Sequence, residues 1–329
     1  MSHLPERQEK VCLNCGTQLS DRFCPHCGQE NVEPRESVWH LLVHFFNDFT
    51  HFDGKFFSTL KLLLTKPGLL SEEYMNGKRV RSLNPIRMYI FTSAFFFFIY
   101  FSTTDTELKP TYTAQGNKST FTLMGDTEGQ QELTDSTARR LFVEEEGPKS
   151  VKEYDSLQQT LTPAKRDNRI KRYINRRLVA TEEYLYQNPL QAIVEIRDNF
   201  LHSFPKMLFI SLPFFALFLY LFNLRRRQTY FYVSHAIFSV HLYCAVFVLL
   251  LAVVMLSKIL PAPLQALLML LFIVVSQIYL FYAMKRFYKI KGWELFFQFV
   301  GINIMSTILV GGLTVVFFFN SVLALAAKH

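Results

Sequence analysis

Residues 12–28 read CLNCGTQLSDRFCPHCG and hold four of the chain's five cysteines. Cys12, Cys15, Cys24 and Cys27 stand as C-x2-C-x8-C-x2-C. Four thiolates suit a tetrahedral zinc ion at about 2.3 Å. Each C-x-x-C turn places two sulfurs on one metal. Gly16 and Gly28 follow the pairs, where a tight turn can aim backbone N–H groups at the sulfurs. Pro25 restricts the second turn, and His26 inside it is expected to be exposed rather than a ligand. A four-cysteine set has no open coordination position, so the expected role is structural. A segment this small cannot fold on apolar burial, and the metal supplies the folding energy. Between Cys12 and Cys27 Arg22 is the one cation, which favours a protein contact over nucleic acid.

A second group of chemistry-bearing residues follows. His40, His44, Asp48 and His51 fall within about 80° of one another on a helix. His40 and His44 have the spacing at which two imidazoles share a metal, and Asp48 can orient one or join the ligands. The pattern fits a second metal or acid–base site, or a solvated polar face that includes Asn47, Thr50 and Lys55. His235 and His241 occur in SHAIFSVHLYC, about 9 Å apart along a helix. Ionisable residues inside a membrane are functional candidates. A neutral histidine can instead hydrogen-bond a neighbouring helix. Cys244 reads as a small packing residue.

The elements that must carry these residues are mostly apolar. The chain has 329 residues, 50% hydrophobic and 16% aromatic, with 34 phenylalanines. A bilayer core needs roughly 20 apolar residues per helix. Five stretches meet or approach this: 86–102, 206–223, 235–256, 264–283, and one within 296–327. Pro213 is expected to kink the second. The span interiors contain no Asp, Glu, Lys or Arg, which argues against an ion-coupled transporter. Gly301, Gly311 and Gly312 permit close helix packing in the last span.

Charge sets the expected orientation. The formal net charge is +8. Lys78, Arg79, Arg81 and Arg87 precede or open the first span, Arg225–Arg227 follow the second, and Lys285, Arg286, Lys289 and Lys291 separate the last two. With five spans all three clusters fall on one side, taken as the cytosol. The polar start MSHLPERQEK has no apolar run after it, so the N-terminus and its reduced thiols are expected there too. Topology then accounts for the basic balance without nucleic acid. The stretch RIKRYINRR lies in the external segment, whose length lets it cross regardless of charge. Lys78, Arg79 and Arg81 are also placed to attract anionic headgroups, at about 1 kcal/mol per charge.

The expected organisation is a zinc ribbon over 1–35 and an amphipathic helix with a basic entry loop over 36–84. The first span covers 85–102, an external, partly helical segment 103–204, and four further helices 205–329. The helix over 36–64 carries Val38, Leu41, Leu42, Phe45, Phe49, Phe52, Phe56 and Leu60 at helical spacing, and Lys66-Pro67-Gly68 ends it. A shorter helix is expected around 69–75. CPHCGQ, KFFSTLKLLLTKPG, YMNGKRVRSLNPIRMYIF, PKMLFISLPFFALFLYL and YVSHAIFSVHLYCAVF together resemble a bacterial family. Its members join a zinc ribbon to a multi-pass membrane region and are classed as a domain of unknown function. The resemblance implies an acidic residue before His235, where this chain has Ser234.

These readings converge on a mainly α, polytopic protein of the bacterial inner membrane, with lipids around it and a protein partner on its ribbon. A non-enzymatic scaffold or sensor is the leading function. A channel or lipid/small-molecule transporter, its path lined by Ser276, Gln277, Asn303 and Asn320, is the alternative. A membrane enzyme using His40, His44, Asp48, His51 and His235 is the third.

Overall fold

The computed structural model describes residues 6–32, 55–104, 120–122, 132–134 and 148–328. The histidine stripe, His40 to His51, and most of the helix expected over 36–64 lie outside the described residues. The chain divides into two compact units, residues 1–104 with 209–309, and 105–208 with 310–329.

The first unit begins with the ribbon, three isolated antiparallel bridges pairing Glu6 with Val32, Val11 with Gln18 and Phe23 with Glu30. Helix α1 (Phe56–Thr65) ends where expected. Pro67 disfavours a helical Lys66, and Gly68 turns left-handed at φ 76°. Helix α2 (Leu69–Met75) starts at once, with Gly68 O accepting from Glu72 N at 3.0 Å. It closes in a Schellman motif, with Lys78 N donating to Glu73 O and Gly77 N to Tyr74 O, and Gly77 in the left-handed position. The basic loop then feeds helix α3 (Pro85–Thr104).

Helix α3 packs along α7 (Tyr232–Ser257), and α7 along α8 (Ala262–Tyr288). The α3–α7 seam is aromatic. Phe247 meets Tyr89, Phe96 and Phe97 at centroid distances of 5.8, 5.4 and 5.8 Å. Such pairs add to their buried area by their edge-on or offset geometry. The short α2 wedges against both α7 and α8, burying Leu70 and Tyr74. Tyr279 of α8 donates its hydroxyl to Leu63 O at 2.9 Å, satisfying a carbonyl in the last turn of α1.

In the second unit, strands β1 (Thr120–Thr122) and β2 (Glu132–Thr134) pair antiparallel, Phe121 opposite Leu133. Helix α4 (Val151–Thr160) packs on α5 (Arg169–Gln187), each N-capped by a side chain, Ser150 and Asn168. Tyr154, Gln158 and Asn175 all donate to Asp167 Oδ2. The short helix α10 (Leu325–Lys328) packs on α5, and Leu325 joins Tyr184, Leu185, Ala192 and Ile196 in a small core.

Helices α6 (Pro189–Phe222) and α9 (Gly292–Leu323) contribute to both units. The segment 189–203 and the second span are thus one helix, with Pro205 and Pro213 both inside it.

Five helices, α3, α6, α7, α8 and α9, are long and apolar enough to cross a membrane. Their outward faces are apolar as well. In α9 only 6% of the most apolar window is buried, and Phe297, Ile308 and Val316 stand exposed. Helices apolar all round belong in lipid. The chain is a mainly α, polytopic membrane protein with a small cysteine-rich region near its N-terminus.

Candidate metal centre and the loop beneath it

The four cysteine sulfurs lie within 4.8 Å of one another. The cross pairs Cys12–Cys27 and Cys15–Cys24 are each 3.6 Å apart. A disulfide needs about 2.05 Å. Tetrahedral bonds of about 2.3 Å place sulfurs about 3.8 Å apart. The spacing is therefore that of ligands around one ion. Gly16 and Gly28 adopt φ 77° and 74°, and their N–H groups donate to Cys12 O and Cys24 O at 2.9 Å. The positive φ is the reason for glycine at both sites, because an added Cβ would meet nothing within 4 Å.

Cys12 and Cys24 are buried while Cys15 is exposed. Burial pushes the Cys12 thiol up to about 11. The Thr17 hydroxyl, 3.2 Å from Cys15 Sγ, with the Thr17 backbone, holds Cys15 down to about 6. An uncompensated buried thiolate is costly, and a cation at the centre of the four sulfurs removes that cost. The residues present fit a tetrahedral thiophilic metal.

The ribbon has a built partner within its own unit. The buried side chain of Gln29 donates from Nε2 to Gly77 O at 2.6 Å and accepts from Arg79 N at 3.2 Å. One amide thus holds two backbone groups of the loop, Gly77 O and Arg79 N. Leu13, between the first two cysteines, lies so close to Gly77 that a Cβ there would come within 2.4 Å of Leu13 Cδ1. The loop is tied to the helices around it. Leu83 N donates to Thr59 Oγ1 at 3.0 Å, and Lys55 Nζ to Val80 O at 2.7 Å.

Of the entry-loop cations, Arg79 lies 5.0 Å over the Tyr74 ring, and Arg81 pairs with Glu73 at 2.9 Å. Lys78 is half-buried beside them. The other basic clusters of the first unit meet the same region. Arg286 and Lys289 both reach Glu72, at 3.5 and 3.6 Å. Arg226 donates to Tyr288 O and pairs with Glu294. The left-handed φ of 55° at Lys289 ends α8 and turns its chain at this cluster.

Both membrane histidines are buried and join helices. His241 Nδ1 lies 2.9 Å from Ser71 Oγ on α2. His235 Nδ1 lies 2.7 Å from Tyr288 OH on α8, and the two rings stack at 5.5 Å. Ser234, where the resemblance implies an acidic residue, is buried and its Oγ has no partner among the described residues. A serine supplies no counter-charge for His235. Ser276 Oγ is buried without a partner among the described residues, Asn303 donates back to Phe299 O of its own helix, and Asn320 is exposed.

No curated protein and no solved structure matches the chain. The part that a family model covers runs from α1 through α2 and the entry loop to the start of α3, and it includes the loop that Gln29 clasps. Residues 53–97 match the family described as Protein of unknown function (DUF3667), in agreement with the resemblance carried by the TKPG and NGKRVRSLNP segments.

Proposed function

We propose that the protein is a non-enzymatic scaffold or sensor of the bacterial inner membrane, whose N-terminal zinc ribbon lies in the cytosol and contacts a protein partner. The observation that carries this reading is the Gln29 clasp, which joins the metal-held ribbon to the entry loop of the first span. A partner seated on the ribbon would bear directly on that loop. Zinc suits four thiolates that leave no open position for a reacting ligand. Cytosolic thiols stay reduced and available to it. The use of His235 and His241 as links between helices speaks for a structural membrane region.

The orientation rests on the three basic clusters. Arg286 and Lys289 meet Glu72 beside the entry loop, and Arg226 meets the end of α8. Their common location favours one cytosolic end rich in Lys and Arg, with the N-terminus inside, the C-terminus outside and 103–204 outside. Lys78, Arg79 and Arg81 then lie level with anionic headgroups.

Crosslinking and pull-down from native membranes tests the proposal, comparing the parent chain with C24S/C27S. The reading predicts one zinc per chain in the parent by metal analysis. The double variant should lose metal and a specific crosslinked partner while the five helices still insert. An unchanged partner set after loss of the metal would refute the ribbon as the contact surface.

A further inference from the structure

The first unit contains a cavity of about 620 Å³ lined by Tyr220, Arg227, Gln228, Phe231 and Tyr232. It is an open groove rather than an enclosed pocket, which suits part of a lipid better than a whole small molecule. The lining joins two chemistries. Tyr220, Phe231 and Tyr232 supply aromatic walls, and Arg227 and Gln228 supply hydrogen-bond donors. Arg guanidinium is a fork whose geometry matches two oxygens of a phosphate.

The neighbouring cations separate a specific role from a general one. Arg226 is already held by Tyr288 O and Glu294. Arg227 has no side-chain partner among the described residues and lines the cavity, while Arg225, also exposed, does not line it. Tyr232 is fixed by its hydroxyl, which donates to Pro213 O at 3.1 Å, so this wall does not collapse inward.

The position names the occupant. The cavity lies where one membrane-crossing helix, α6, ends at Phe222 and the next, α7, begins at Tyr232. In the sequence around the lining residue Tyr220, Leu217, Leu221, Phe222 and Leu224 are exposed, an apolar surface that suits lipid. Aromatic rings and a cation at a span end mark the headgroup level.

We infer that this cavity binds the phosphodiester headgroup of a single anionic membrane lipid, with Arg227 and Gln228 on the phosphate and the aromatic walls on the first acyl carbons. The site differs from the general attraction of the Lys78–Arg81 loop because it requires one residue rather than a sum of charges.

The test uses the full chain in detergent and native mass spectrometry, with phosphatidylglycerol and phosphatidylcholine of identical acyl chains as probes. Retention of phosphatidylglycerol should exceed that of phosphatidylcholine, because the choline cation beside the same phosphate offsets its charge and repels Arg227. It should fall about fivefold in R227A, the factor expected from one headgroup-facing charge. R227K should keep only part of the binding, because an ammonium lacks the two-oxygen fork, and R225A should keep all of it. Excess inorganic phosphate should fail to displace the lipid. The inference is overturned if R225A and R227A lose lipid equally, which indicates diffuse basic attraction. It is also overturned if the two lipids are retained alike, or if inorganic phosphate displaces the lipid and binds in its place.

Discussion

Gly68 is the residue where backbone and packing constraints coincide. It turns left-handed at φ 76° between α1 and α2, and an added Cβ would lie 2.6 Å from the backbone oxygen of Ala283 on α8. In Gly68→Ala the left-handed conformation costs about 1–2 kcal/mol. Forcing a methyl group against a helix backbone adds about 1–3 kcal/mol, because a carbonyl cannot rotate away as a side chain can. The stiffer unfolded chain returns about 0.4–1 kcal/mol. The net loss is about 1–4.5 kcal/mol, with a midpoint of about 3. Gly292 is the matched control in the same unit. Its φ of 61° carries the backbone cost, but nothing lies within 4 Å of an added Cβ. Gly292→Ala should lose about 1 kcal/mol. Thermal unfolding of the detergent-purified protein, followed by tyrosine and tryptophan fluorescence, measures both. Gly68→Ala should fall by roughly 5–10 °C and Gly292→Ala by roughly 2–4 °C. Equal shifts would show that α2 does not press on α8 at Ala283, and the wedge would be wrong.

Ser71→Ala leaves His241 Nδ1 buried without its partner and should cost about 1–3 kcal/mol. Adding His241→Leu should recover much of that loss, and thermal unfolding of the three variants shows whether the two changes couple. In the second unit, hydrogen bonds from Tyr154, Asn175 and Lys171 hold Asp167 below its ordinary value of 3.8. A lowered carboxylate adds stability that is present above the ordinary value and lost as pH falls through the lowered one. Proteolysis between α4 and α5 should therefore rise as the medium is acidified below that ordinary value. Asp167→Asn should show the exposed behaviour already at neutral pH, and flat proteolysis across the range would count against the network.

Features written in local chemistry were legible in the sequence. The cysteine spacing marked a group that could hold a metal ion, and the sulfurs do gather within 4.8 Å. Lys66-Pro67-Gly68 marked a helix end because Pro and Gly act on the backbone beside them, and α1 stops at Thr65. The five apolar runs marked the membrane-crossing helices, since length and hydropathy alone decide that property. Long-range partners left no such trace. Gln29 reaches Gly77 across 48 residues, and His241 meets Ser71 across 170. Nothing in the spacing of either residue names its partner, because a side-chain hydrogen bond needs only one correctly placed atom. The continuity of α6 was hidden for a different reason. Pro205 reads locally as a breaker, yet the helix runs from Pro189 to Phe222 through it. A proline inside a helix removes one backbone bond and kinks the helix without always ending it. Two signals were available in hindsight. Gln29 directly follows the second C-x-x-C-G turn, and Ser71 directly follows the apolar pair Leu69-Leu70 at the start of a short helix.

The coupling of the metal ribbon to the entry loop is tested most directly at the Arg79 amide, whose N–H donates to Gln29 Oε1 at 3.2 Å. Hydrogen–deuterium exchange of a peptide covering 77–81 reports it in the full-length protein. Chelating the metal, or replacing Gln29 by Ala, should remove bonds worth about 1–3 kcal/mol, and each 1.4 kcal/mol is tenfold in exchange. Exchange in this peptide should rise about 5- to 150-fold in both cases, with the peptides of α7 and α8 unchanged. An Arg79 amide equally protected with and without the metal would contradict the account.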